Sequence, residues 1–231
     1  MHRALRRALT ALLTTVVVGL GTVTAVAPAT AQPVTAAAAA CSSRAGLPAR
    51  VSIDRAYQEV RVPLQDSCYN DFVWLDLYGP QGYETMLDWD PAHNGALAYW
   101  DVYGWYTQPG TYRVREGYAS PHNYTASTST LVKFGSKAGL TAKRSGGRVT
   151  LTACASYYNG SRDAFVPWAG HKATIQKLGR DGRTWSYVKT VGTNRSGCAA
   201  HTVSDRYAGT YRVSTYETYQ IFGRTSPSVR A

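Results

Sequence analysis

Gly110-Thr111-Tyr112-Arg113-Val114 returns as Gly209-Thr210-Tyr211-Arg212-Val213, 99 residues further on. Seventeen residues past each glycine, Ser127-Thr128-Ser129 answers Ser226-Pro227-Ser228 at the same offset. Upstream, Leu75-Asp76-Leu77-Tyr78-Gly79 faces Ile175-Gln176-Lys177-Leu178-Gly179, and Gly82 faces Gly182, at an offset of 100. Earlier still, Arg61-Val62-Pro63-Leu64 runs to Cys68 as Arg148-Val149-Thr150-Leu151 runs to Cys154, at an offset of 86 or 87. A shared order of segments with one local insertion marks a duplication. The second copy carries about fourteen extra residues between Cys154 and Ala173, and the boundary falls near residues 131–138. Two copies are too few for a solenoid.

Each copy reads as short strands about ten residues apart, separated by turns of Gly, Pro, Asn and Asp, which is the signal of an all-β sandwich. Alternation is plain in Arg148-Val149-Thr150-Leu151-Thr152-Ala153 and in Ala173-Thr174-Ile175-Gln176-Lys177-Leu178, where every second side chain faces a core. The first copy holds expected strands near 51–54, 59–65, 72–78, 84–89, 96–102, 110–116 and 127–134. Seven is an immunoglobulin-like count. Apolar spacing of three and four is missing outside the N-terminus, so helix should be scarce. The repeated tyrosines, Tyr112 and Tyr211, each follow a turn and enter a late strand. That is the setting of a tyrosine corner, whose hydroxyl bonds back to the turn backbone. The expected fold is therefore two tandem immunoglobulin-like sandwiches, over residues 45–134 and 135–231.

Residues 1–31 have the three parts of a cleaved signal peptide: Arg3, Arg6 and Arg7, then an apolar stretch to Ala27, then Ala29-Thr30-Ala31. Pro28 and the small-residue motif argue against a membrane anchor, and no later run is long enough to span a bilayer. Residues 32–44 read as a disordered leader. Four cysteines in an exported chain favour disulfides over metal ligands. They allow three pairings, of which Cys41 with Cys68 and Cys154 with Cys198 keeps each bridge within one domain. A lipid on Cys41, suggested by Ala38-Ala39-Ala40-Cys41, would leave Cys68 unpaired and lacks the usual leucine. The expected localisation is secreted and extracellular, with cell-wall association.

The charge is unevenly spread. Residues 41–130 hold six arginines, no lysine and ten acids, net −4, whereas residues 131–231 hold sixteen basic residues and four acids, net +12. The basic residues concentrate early in the second copy, at Lys133, Lys137, Lys143, Arg144 and Arg148, with Arg180, Arg183 and Lys189 further on.

The second copy resembles the immunoglobulin-like repeats of secreted actinobacterial proteins. In those repeats a Trp and a Gly lead to an apolar strand ending in Gln, followed by Gly, Trp and a Thr-rich strand. The matching positions are Trp168, Gly170, Ile175, Gln176, Gly182, Trp185, Val188, Thr190 and Thr193, followed by Gly197 and Tyr211-Arg212. The resemblance implies a fold and an accessory or surface role. It carries no functional residues over, and Cys154 and Cys198 depart from it.

Signs of chemistry are few. His93, His122, His171 and His201 lie apart without metal-ligand spacing and read as solvated loop residues, so no metal and no cofactor is expected. Asp88-Trp89-Asp90 with Asn94-Gly95 reads as a hairpin turn, since the residue twelve places into a calcium loop starting at Asp88 would be Tyr99 and no Glu follows. Neither a GxSxG serine nor a supported cysteine occurs, and carboxylate pairs such as Glu84 with Asp88 or Asp76 with Asp101 are what any acidic β-domain offers. An enzyme is not expected.

Two surfaces remain. Tyr99, Trp100, Tyr103, Trp105 and Tyr106 lie within eight residues, and a strand there puts one face in the core and the other outside, where Tyr and Trp suit sugar stacking or a protein hot spot. The basic cluster suits an anionic cell-envelope polymer or polysaccharide, and nucleic acid is disfavoured by export and by the lack of a motif. The expected function is a secreted binding module for such a polymer. The alternative is a protein ligand, either an inhibitor of a secreted enzyme or a subunit of an extracellular complex.

Overall fold

The structure, a computed structural model, describes residues 41–90, 95–123 and 125–231. The proposed signal peptide and residues 32–40 of the leader lie outside these, as do His93 and Asn94. Sixteen strands run in chain order among the described residues, eight in each copy, and the one helical element is a single 3-10 turn at Gly160–Arg162.

In the first copy the strands are β1 (Ser43–Ala45), β2 (Arg50–Ile53), β3 (Tyr57–Asp66), β4 (Phe72–Gly79), β5 (Gly82–Trp89), β6 (Leu97–Tyr103), β7 (Gly110–Ser120) and β8 (Ser129–Phe134). They form two sheets, β1-β3-β6 and β2-β8-β7-β4-β5. β4–β5 and β7–β8 are hairpins within one sheet, the chain changes sheets between β3 and β4, between β5 and β6 and between β6 and β7, and β3 pairs β6 while β4 pairs β7. That is the Greek-key order of an immunoglobulin-like sandwich, with β2 parallel to β8 as the short first strand that crosses over. The second copy repeats it with β9 (Ser136–Ser145), β10 (Arg148–Asn159), β12 (Lys172–Leu178), β13 (Trp185–Gly192), β14 (Cys198–Ser204), β15 (Thr210–Thr215) and β16 (Val229–Arg230). Here β9 and β14 flank β10, and the facing sheet is β13-β12-β15-β16. The duplicated Gly-Thr-Tyr-Arg-Val therefore opens β7 and β15, the central strands facing each core, which is why it is the best-matched segment.

Alternation builds each core from inward positions. Val73, Leu75 and Leu77 of β4, Leu87 and Trp89 of β5 and Trp100 of β6 are buried in the first, and Val149, Leu151, Ile175, Tyr211 and Val213 in the second. The indole N–H of Trp89 donates to the Val62 carbonyl at 2.9 Å, so the deepest tryptophan carries no unpaired donor. Tyr112 is a tyrosine corner, its hydroxyl donating to the Gln108 carbonyl at 3.0 Å. Tyr211 departs from the expected corner: its hydroxyl donates to the Asp205 carboxylate instead of a backbone carbonyl. Asp205 also receives the Lys177 ammonium at 2.5 Å. Those two donors, the lysine foremost, hold its carboxyl below the usual range. An acid at the turn has displaced the backbone acceptor.

Both expected disulfides are present, Cys41–Cys68 and Cys154–Cys198. In the chain-entropy account, closing loops of 27 and 44 residues stabilises the fold by roughly 3–4 kcal/mol each. The leader ends sooner than residue 44. Ser43 is fully buried in β1, and its hydroxyl donates to Asp66 at 2.8 Å, because Cys68 tethers Cys41 and brings this segment to the edge of β3.

The extra residues of the second copy have a definite place. They are the end of β10, the 3-10 turn and β11 (Ala164–Pro167), which folds back on β10. Tyr158 from this insert is buried in the first core, beside Phe134 and Phe165. Gly160 packs so closely on Gly104 that a Cβ there would stand 1.8 Å from the Gly104 carbonyl oxygen. On another side of the junction, backbone bonds join Phe134 to Gln220 and Phe222, so the loop after β15 lies along the end of β8. All described residues fall in one compact unit.

Candidate functional site

β5 and β6 are edge strands of opposite sheets, and the surface has an opening along them. The opening is a groove of about 540 Å³ lined by Glu84, Thr85, Tyr99, Trp100, Asp101, Tyr103, Trp105 and Tyr106. That volume is in the range of ligand sites. The aromatic run therefore divides by alternation. Tyr99 (47% exposed) and Tyr103 (36%) face outward from β6, Trp105 (69%) and Tyr106 (50%) stand on the loop that follows, and Trp100 (1%) points inward. Trp100 does not belong to an accessible surface, as its place among the candidate binding residues supposed. It packs on Tyr112 with ring centroids 4.9 Å apart, forming the floor.

The exposed rings form a continuous row. Tyr57 of β3 meets Tyr103 at 5.4 Å, Tyr103 meets Trp105 at 6.1 Å, and Trp105 meets Tyr106 at 5.7 Å. Thr107 holds the loop, its hydroxyl accepting the Tyr103 amide at 3.0 Å. Tyr57 was not legible as a partner in sequence, since it is 46 positions from Tyr103 and meets it only through the β3–β6 register.

Two carboxylates, Glu84 and Asp101, line the groove, and in sequence they read only as members of generic acid pairs. Leu77 faces Thr85 and Tyr78 faces Tyr83, which leaves Glu84 as the extra residue of a β-bulge. Bulges re-aim side chains at sheet edges. Half-burial pushes the Glu84 carboxyl up from its ordinary value, against the opposing pull of the Trp100 indole N–H beside it. That N–H is buried and lies outside the geometry of a formed hydrogen bond. Asp101 accepts the Tyr57 hydroxyl at 2.9 Å. Glu84 and Asp101 have no cationic partner among the described residues.

The basic cluster does not survive as one surface. Lys133 is buried at the junction, donating to Glu217 and to the Thr218 carbonyl, each at 2.7 Å, while Arg50 reaches the other Glu217 oxygen at 2.5 Å. Buried and engaged in this way, the Lys133 ammonium is not presented to a polymer. Arg144 is on the inward parity of β9 at the sandwich end, where it donates to the carbonyls of Asp205, Tyr207 and Ala231. Lys137, Lys143 and Arg148 do share one outer face of the β9–β10 pair, opposite Ser156, Thr150 and Ser145. The Lys137 ammonium sits 3.8 Å from the centre of the Phe165 ring.

Arg144→Ala is accordingly expected to behave as a folding mutation. Leaving three acceptors without their donor should lower the unfolding free energy by roughly 2–4 kcal/mol in a urea titration, while Lys143→Ala stays within about 0.5 kcal/mol. Equal, small effects would mean that Arg144 is a surface charge after all.

Among the described histidines, His171 differs from its expected solvated state. His171 stacks on Trp168 at 3.5 Å, its Nε2 lies 3.0 Å from the Tyr216 carbonyl, and burial pulls its pKa down. No group of three His, Cys, Asp or Glu side chains among the described residues is placed to hold a metal ion. No helix among them is long and apolar enough to cross a membrane. The two disulfides fit an oxidising, extracellular setting.

What the fold defines is a class: a disulfide-stapled, all-β protein of two immunoglobulin-like sandwiches. No protein-family model and no curated protein matches the chain. Among solved structures, it is similar to a beta-glycosidase from Bacteroides vulgatus at 11% identity and a TM-score of 0.26, over 83% of this chain and 25% of that one. A tetra-tandem repeat in the extending region of a large adhesion protein gives 13% and 0.28, over 83% and 49%. The calcium-binding domain CBD12 of CALX1.1 gives 10% and 0.30, over 72% and 76%. The chain spans a quarter and about half of the first two, and all three scores are too low to argue from.

Proposed function

We propose that this chain is an extracellular, non-catalytic binding module for envelope polysaccharide, with a domain division at residues 134/135 and the aromatic groove as its binding site. The observation that carries the reading is the row of exposed rings from Tyr57 through Tyr103 and Trp105 to Tyr106 beside two carboxylates. Flat aromatic faces offer apolar area to the faces of sugar rings at little entropic cost, and carboxylates accept hydroxyl hydrogen bonds. Rings anchored on a strand and a short loop keep the geometry preorganised.

A second reading, an anionic envelope polymer, is favoured by the outer face holding Lys137, Lys143 and Arg148. The directly paired residues of β9, β10 and β14 place no acid on that face. Pull-down against purified envelope and against culture supernatant, each at low and high salt, separates these. Retention on envelope that survives high salt and falls about 30-fold in Trp105→Ala is the expected result, a hot-spot loss of about 2 kcal/mol. Retention lost at high salt and in a Lys137, Lys143 and Arg148 triple alanine variant would move the function to the anionic polymer. A salt-resistant protein from the supernatant would make the chain a protein ligand.

A further inference from the structure

The groove has a charge as well as a shape. Its lining contains Glu84 and Asp101, five aromatic rings, and no lysine, arginine or histidine. Arg61 stands opposite Tyr99 on β3 and does not line it. The bulge at Glu84 places a carboxylate where half its surroundings are protein, without a cation of the chain to neutralise it among the described residues. Leaving a charge so placed unpaired is costly, and the cost is recovered when a ligand brings the opposite charge. The four exposed rings of the lining, Tyr99, Tyr103, Trp105 and Tyr106, add the negative faces of their π-systems, which attract cations and repel anions. Burial raises the Glu84 carboxyl above its ordinary value, and the buried Trp100 indole N–H beside it opposes that rise only in part.

From this we infer that the groove selects polysaccharide bearing free amino groups, with the sugar ring on the exposed aromatic row and its ammonium held between Glu84 and Asp101. This rests on the polysaccharide reading above and sharpens it. The chain past the proposed signal peptide has 22 basic residues against 14 acids, but residues 41–130 are net −4, so a variant that removes one acid outside the groove is needed to separate general attraction from the groove.

The experiment uses the disulfide-intact protein and two probes of equal length, a β-1,4-linked glucosamine hexamer and its fully N-acetylated form, titrated calorimetrically at one salt concentration. The amino hexamer should bind at least about tenfold more tightly, the scale of one charge-assisted hydrogen bond. Glu84→Gln and Asp101→Asn should each shrink that preference, while Asp71→Asn, which removes the same charge outside the groove, should leave it within about twofold. In parallel, purified envelope glycan is tested before and after chemical N-acetylation. Retention lost on acetylation supports the inference. Equal binding of both hexamers with full retention on acetylated envelope overturns it and leaves the polysaccharide reading standing. No retention on untreated envelope and no binding of either hexamer overturns both. Thermal melts of the Gln and Asn variants exclude a folding defect as the cause.

Discussion

Trp100→Ala is expected to lower the unfolding free energy by about 3–5 kcal/mol, the range for truncating a buried tryptophan. Trp105→Ala, five positions on in the same aromatic run, should cost no more than about 0.5 kcal/mol. The two tryptophans look alike in sequence, but Trp100 is 1% exposed and Trp105 is 69% exposed. Trp100 fills the first core against Tyr112, so its removal leaves a cavity between the sheets at the point where β5 and β6 come together. Collapse there would draw Glu84 inward as well, so polysaccharide binding should be lost with stability. Trp105→Ala removes only a ring on the groove wall, and its effect should be confined to affinity. Urea titrations of both variants beside a binding assay separate the two behaviours. A mild Trp100→Ala would mean that the alternation along β6 is inverted, and a destabilising Trp105→Ala that the loop after β6 is packed into the fold.

Gly160→Ala should be nearly as damaging, although no functional side chain changes. The added methyl would stand 1.8 Å from the Gly104 carbonyl oxygen and 2.7 Å from its carbon. Both obstructing atoms are backbone, so no rotamer change relieves the clash, and the insert or the loop beyond β6 has to move. Overpacking of this kind costs roughly 3 kcal/mol at the upper end of its usual range. The same displacement reaches Trp105, the next residue, so weakened binding should accompany it. Tryptophan fluorescence would report the shift of the loop, and a denaturation curve the loss. A variant as stable as the parent and with unchanged affinity would show that the second copy does not buttress the groove of the first.

These two cases show where sequence reasoning reached and where it stopped. The duplication, the all-β class, the strands and both disulfides were legible because they depend on local periodicity and on residue types with strong preferences. The fourteen-residue insertion was legible as a length and silent as to purpose, since Gly160 meets Gly104 only when both sandwiches are in place. The basic cluster was legible as composition, but Lys133 and Arg144 were spent on Glu217 and on carbonyls near the C-terminus, partners 61 to 87 positions away. Glu84 was legible only as one of a generic pair of carboxylates, because its direction depends on a bulge, and a bulge is a property of two paired strands.

Sequence by itself determined that this chain is a duplicated β protein with two internal bridges and an aromatic segment divided between core and surface. Only the tertiary structure decided which tryptophan is floor and which is wall, which cations remain free, and that two carboxylates share a groove with the rings. The physical reason is range. Alternation and turn preference act over a few residues, whereas charge pairing, close backbone approach and the alignment of sheet edges join positions brought together only by folding.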